Sequence, residues 1–262
     1  MVLLLFVDLD PDLAALRPLG GFFVLRTVPG TAGAPHGTTG ALRGPLPALA
    51  QAYEGAESER YGDSIAFRVG KVADALRAPE PRVAASVAHQ GLAARLWSVA
   101  LGCAALYGRV PDLGPRLLHW DPDAGAPDDL WLSGVRPLPG DAATLAGTVL
   151  DDHLEPLTAT LRVRYRLASG LLWGNAASAL AGAARQLDGW ARAHGRTDAA
   201  ARARSLSADL LAHPRLAGTG TLTGTAFRRR SCCLYYRVPG GGVCGDCCFP
   251  RPPRSSPRAA SG

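Results

Sequence analysis

The chain has 262 residues, 47% of them hydrophobic and 19% charged. That length buries a full core, and that composition excludes a charge-dominated disordered chain. The formal charge of +6 is concentrated: from Arg228 onward there are seven arginines (Arg228, Arg229, Arg230, Arg237, Arg251, Arg254 and Arg258) against one acid, Asp246, and everything before is formally neutral. A short basic segment on a neutral body argues against nucleic-acid binding as the function.

The opening run Met1 to Val7 is apolar, but Asp8, Asp10 and Asp12 follow it and no basic residue precedes it, so it reads as a strand and not as an export signal. The aspartates do not complete a calcium loop, because Leu13 and Leu19 stand where glycine and glutamate are needed. Asp10-Pro11 opens a short helix ending near Arg17-Pro18, Phe22 to Thr27 reads as a strand, and Gly30 to Gly44 is a Gly/Thr/Pro loop. Pro47 to Glu54 and Arg68 to Leu76 read as helices. Arg82 to Tyr107 reads as one long helix, with Cys103 on the core face beside Leu96, Val99 and Leu106. Arg116 to Trp120 and Leu130 to Arg136 are β-like runs able to pair, with a turn expected at His119 to Asp123. Residues 150–165 fit both an alternating and a helical pattern. The longer helical match, through Leu150, Leu154, Leu157, Leu161 and Tyr165, favours a helix that Pro156 kinks or starts.

Asp151, Asp152, His153 and Glu155 read as acids opening that helix rather than as a metal cluster. Further helices are expected over Ala176 to Arg192, with Asn175 as N-cap, and over Asp198 to Leu211. Gly218 to Gly224 reads as a link. It misses a dinucleotide-binding glycine motif by one residue. No stretch has the roughly 20 mainly apolar residues of a membrane span, so a cytoplasmic protein without a transmembrane segment is expected.

Five of the six cysteines fall within 17 residues, at Cys232, Cys233, Cys244, Cys247 and Cys248. Clustered cysteines in a chain without export features more often bind metal or do redox chemistry than form disulfides. The pattern is C-C-x10-C-x2-C, with Pro239 and Gly240 to Gly242 turning the chain back so that the two cysteine pairs converge. Four thiolates suit either a [2Fe–2S] cluster or a structural zinc. The adjacent pair Cys232-Cys233 points its side chains apart in an extended chain, which suits a two-iron target better than one ion; zinc remains the alternative.

The segment Arg229-Arg-Ser-Cys-Cys-Leu-Tyr-Tyr-Arg237, with Cys244-Gly-Asp-Cys247 after the loop, resembles the FhuF-type ferric siderophore reductases. Arg82 to Ser86, Arg95 to Ser98 and Leu171 to Leu180 resemble the same family less specifically. The resemblance implies a [2Fe–2S] cluster held by Cys232, Cys233, Cys244 and Cys247; Cys248 departs from the family pattern, as a surplus thiol that is either free or a replacement for Cys247. It implies an oxidoreductase that passes one electron to a ferric siderophore and releases Fe(II), supplied by an external, ferredoxin-like donor or another reductant. The arginines near the cysteines would offset cluster charge, or attract an anionic chelate or an acidic donor. The competing readings are a zinc-stabilised, non-enzymatic binding protein and a [2Fe–2S] electron carrier or sensor. The expected fold is α+β: a mostly helical, substrate-binding body with a few short strands (residues 1–220), a small C-terminal iron–sulfur lobe (221–252) and a disordered tail (253–262).

Overall fold

The computed structural model describes Leu13, residues 15–28 and residues 45–253. The expected N-terminal strand, the Asp8 to Asp12 run, the start of the first helix, the Gly/Thr/Pro loop and the tail from residue 254 lie outside these residues.

The fold is α+β and mostly helical, and it is built around α3 (Pro81–Tyr107). Every residue from Leu92 to Leu106 except Ala94 is buried, so this helix is covered on all sides. The long α6 (Ser169–Ala193) lies against it, and the alanines of both helices, among them Ala93, Ala100, Ala104, Ala176, Ala177 and Ala183, allow a close approach. Around this pair pack α2 (Ser64–Leu76) and α7 (Thr197–Leu211), while α1 (Leu49–Glu54) lies at the edge. Asp63 caps α2 by accepting the Ala66 amide, so that helix begins four residues before the expected Arg68. Leu180, Leu187, Leu96 and Trp97 are among the fully buried side chains of this core, as is Cys103.

The helix expected over residues 150–165 is present, and it is longer. It starts as α4 (Ala142–Leu145) under the Asp141 cap, widens into π turns over Ala146–Leu154 and continues as α5 (Glu155–Tyr165). Pro156 has no amide to donate and its ring crowds the preceding turn; the wide turns immediately before it relieve that conflict. The acids Asp151 and Glu155 are therefore within a helix, not at its opening, and both pair with Arg215.

A three-stranded sheet, order β1–β4–β3, joins β1 (Arg26–Thr27), β3 (Leu118–Trp120) and β4 (Leu130–Leu132). The expected hairpin partners pair antiparallel, with Leu118 opposite Leu132, and a turn follows Trp120. The strand expected from Phe22 is reduced to Arg26–Thr27, because Gly21–Phe23 forms a 3-10 turn. The cause is Arg95, buried in α3. Its guanidinium pairs with Asp129 at 2.8 Å and gathers the carbonyls of Gly21, Phe22 and Val24, which extended pairing would have used. A second pair joins β2 (Arg109–Pro111) to β5 (Pro137–Pro139).

Two further expectations change. Helix α6 starts at Ser169, not Ala176, so Asn175 is an interior residue and not an N-cap. The expected link from Gly218 is a hairpin, β6 (Gly220–Thr223) with β7 (Ala226–Arg229). Its two loop residues are Gly224 and Thr225, and Gly224 has φ +61°, the conformation a tight hairpin turn reserves for glycine. The Gly/Thr composition read as a link because threonine at Thr221 and Thr223 faces solvent, where no apolar alternation marks a strand.

Candidate functional site

Strand β7 brings the cysteine segment onto the body. Phe227 and Arg229 point inward and Arg228 outward, so the strand lies on α6 while its end delivers Ser231, Cys232 and Cys233 beside the start of α3. Leu234 adopts the left-handed conformation (φ +69°), and its amide turns to the Cys232 sulfur at 3.3 Å. The chain passes through a 3-10 turn, Tyr235–Arg237, and returns in a tight turn from Cys244 to Cys247. There the Phe249 amide points at the Cys247 sulfur at 3.4 Å. Amides aimed at sulfur stabilise thiolate over thiol.

The five thiols interact pairwise, Cys233 with Cys232 and Cys244, Cys244 with Cys247, and Cys248 with Cys232 and Cys247. Cys233 is buried and the other four are half-buried. The Cys232 and Cys244 thiols donate to the Cys233 sulfur, which brings its pKa down to about 2, with the Arg229 charge adding to the effect. Cys232 and Cys244 are pushed up because they share their protons with Cys233 and are themselves partly buried. Cys248 is raised by burial first, and then by Cys247 beside it. Thiolates brought together repel one another, and a cation among them offsets that repulsion. The donor set is soft sulfur, which fits an iron–sulfur cluster or zinc. Among the described residues no group of three or more His, Cys, Asp or Glu side chains is already arranged around a metal-ion position.

Beneath the thiols lies a buried polar network. Arg229 is 2% exposed; its guanidinium donates to the Asn175 side-chain oxygen at 2.5 Å, to the Leu171 carbonyl and to Gln90. The Asn175 amide donates to Ser86, and the Ser86 hydroxyl donates to the Cys233 carbonyl at 2.7 Å. Gly174 permits this seating, since a Cβ there would lie 2.3 Å from the Ser231 hydroxyl and 3.3 Å from the Arg229 guanidinium. In the Cys244 to Cys247 turn, Asp246 is buried; its carbonyl accepts the Arg229 amide, and its carboxylate accepts Ser178 at 2.6 Å and Arg185 at 3.4 Å. A salt bridge from Arg237 to Glu80, at the N-terminus of α3, closes the other side.

Of the arginines expected around the cysteines, Arg229 lies under the sulfurs, Arg228 reaches the Cys248 carbonyl at 3.3 Å and Arg237 is committed to Glu80. Tyr236 packs edge-on against Phe249, with ring centroids 6.0 Å apart. Ser86 and Asn175 lie within stretches that carried the family resemblance, but Ser86 had no assigned role and Asn175 only that of a helix cap. Asp246 lies within the Cys244-Gly-Asp-Cys247 motif but had no role of its own, and Gln90 and Arg185 had no sequence signal, because only the packing of α3 and α6 on the lobe unites the three.

A cleft of about 460 Å³ opens between α3 and α6, with Phe22 at one wall and Cys244, Gly245 and Asp246 at the other. Gln90, Ser98, Ser178, Arg185 and Gln186 supply polar groups to it. One cysteine of the thiol set therefore borders a solvent-accessible cavity.

Two family models match the chain: one described as a ferric iron reductase FhuF-like transporter over residues 90–231, and one described as the FhuF 2Fe-2S C-terminal domain over residues 229–249. The chain belongs to the FhuF-like family. No curated protein matches it. The first match spans α3 from Gln90, α6 and the hairpin that carry the supporting network, and the second spans the five cysteines. The C-terminal segment of this FhuF-like protein is a [2Fe–2S] domain. Among the described residues no helix is long and apolar enough to cross a membrane.

Proposed function

We propose that this FhuF-like chain reduces ferric iron held in siderophores, with Cys232, Cys233, Cys244 and Cys247 as the ligands of its cluster and residues 221–252 acting as a lobe on the body formed by residues 1–220. A bound [2Fe–2S] cluster supplies one-electron redox chemistry at a potential tuned by its surroundings. Siderophores hold Fe(III) through hard anionic oxygens. With one added electron the iron becomes Fe(II), which those ligands hold far more weakly, and the metal leaves.

The observation that carries this reading is Cys244, which belongs both to the thiol set and to the wall of the cleft. A chelate seated there comes within a short distance of the sulfurs without displacing any of them. Arg185 and Ser178 neutralise and hold Asp246, so the carboxylate beside Cys244 does not repel an anionic chelate. Gln90 and Gln186 offer amides, while Phe22, 43% exposed, offers an apolar cover. Arg229 places a fixed positive charge under the sulfurs, which favours the more negative, reduced state. The electron comes from an external donor, in a reducing compartment such as the cytoplasm.

The test is anaerobic. Protein reduced with dithionite and freed of excess reductant is mixed with a ferric siderophore; the visible spectrum of the oxidised cluster returns and Fe(II) is captured by a colorimetric chelator. No reoxidation by any of a hydroxamate, a catecholate and a carboxylate chelate overturns the reading in favour of an electron carrier or sensor. Cys232→Ser and Cys244→Ser each abolish the colour. A colourless wild-type protein with one zinc per chain would instead support a structural metal.

A further inference from the structure

Part of the cysteine lobe, including Cys247 and Cys248, does not line the cleft. Arg228 points outward from β7 and bonds the Cys248 carbonyl, the Phe249 amide bonds the Cys247 sulfur, Phe249 meets Tyr236 edge-on, and Arg237 donates to the Tyr236 hydroxyl at 3.2 Å. These contacts make one continuous rim around Cys247 and Cys248, and exposed Arg251 follows two residues after Phe249. The rim pairs exposed apolar surface, Phe249 at 36% exposure, with the cationic groups of Arg228 and Arg251. The only acid of the lobe, Asp246, is buried and bound on the cleft side, and Glu80 is held by Arg82 and Arg237.

We propose that this rim is the docking surface for an acidic one-electron redox protein, so that electrons enter beside Cys247 and Cys248 and leave beside Cys244. The inference rests on the reductase reading for the exit side only. A small apolar centre ringed by like charge is the usual composition of a fast, transient interface: the charges steer the encounter and the apolar centre lets the two redox groups approach. Among the described residues Arg228 and Arg251 are in no salt bridge, whereas the cleft's cation Arg185 is paired with Asp246 and Arg237 with Glu80. In the transfer the partner is oxidised by one electron and the group held by the cysteines is reduced by one; no atom or proton moves.

The experiment uses holoprotein with an acidic plant-type [2Fe–2S] ferredoxin as the probe donor, and compares wild type with the Arg228→Glu/Arg251→Glu variant. Oxidised ferredoxin binds wild type in titration calorimetry, and binding weakens with added salt. In stopped flow, reduction by reduced ferredoxin is slower in the variant by about tenfold or more at low ionic strength, and its salt dependence is lost. Reduction by photoreduced neutral deazaflavin is unchanged, as is reoxidation by a ferric siderophore. Equal ferredoxin rates in both proteins, or a wild-type rate indifferent to salt, overturn the proposal. So does a variant slowed only in reoxidation, since the rim would then attract the chelate. Absence of reoxidation in both proteins tells against the reductase reading alone and leaves the docking result readable.

Discussion

Asn175 shows how much depends on single polar residues here. It sits inside α6, fully buried, where an asparagine is a poor helix former, and its value is that one amide serves both Arg229 and Ser86. Asn175→Leu leaves the Arg229 guanidinium short of a partner in the interior, and we expect a loss of about 1–3 kcal/mol, read from chemical denaturation. Gly174→Ala is expected to destabilise by about 1–3 kcal/mol through overlap with Ser231, despite alanine's better helix propensity. Adding Ser231→Ala relieves that overlap, so the double variant recovers stability while the single one does not.

His153 is a second such residue. Its Nε2 donates to the Leu113 carbonyl at 2.6 Å, which leaves Nδ1 to accept the Tyr53 hydroxyl at 2.9 Å and fixes the neutral tautomer. Burial brings its pKa down from 6.5 to about 4. The unfolded chain takes up a proton below about pH 6.5 that the native chain refuses, so stability falls as pH drops from there toward 4, by about 1.4 kcal/mol per unit for this group. His89, lowered to about 3 by burial and by Arg229, acts in the same direction over a wider window. Thermal melts followed by the helical signal at pH 7 and pH 5 check this, and His153→Gln reduces the difference while leaving the part due to His89.

At the level of elements, the α3–α6 pair is the platform for everything else. Leu180 is fully buried in α6, and Leu180→Ala is expected to cost about 2–5 kcal/mol in a denaturant titration. The long helices were legible because their apolar residues recur over many turns. The ends were not. Asp63 moved the start of α2 forward, and the seven residues before Ala176 joined α6 although Asn175 read as a cap. Short strands were the least legible: Phe22 sits in a 3-10 turn because a buried arginine 73 residues away claims its carbonyl.

For the whole molecule, the lobe's own apolar contribution to the core is small, chiefly Phe227 and Leu234, and the rest of its attachment is the polar network and the sulfur site. A segment so poor in core residues depends on its cofactor for order. Removing iron is therefore expected to raise amide exchange across residues 230–250 while α3 and α6 keep their protection, as mass spectrometry of exchanged holo and apo protein would show. Uniform loosening of both parts would argue against a lobe on an independent body.

The cysteine spacing, the concentration of charge after Arg228 and the helical periodicity were enough to indicate a cluster-binding tail on a mostly helical protein, because each is a local property that a linear chain displays directly. The partners of that tail were settled only by folding. Ser86, Gln90, Asn175 and Arg185 come from two helices up to 99 residues apart in the chain, and they meet Arg229 and Asp246 because alanine-rich faces let α3 and α6 close to a distance at which short polar side chains span the gap. A linear pattern carries no record of such convergence, which depends on shape and burial rather than on order along the chain.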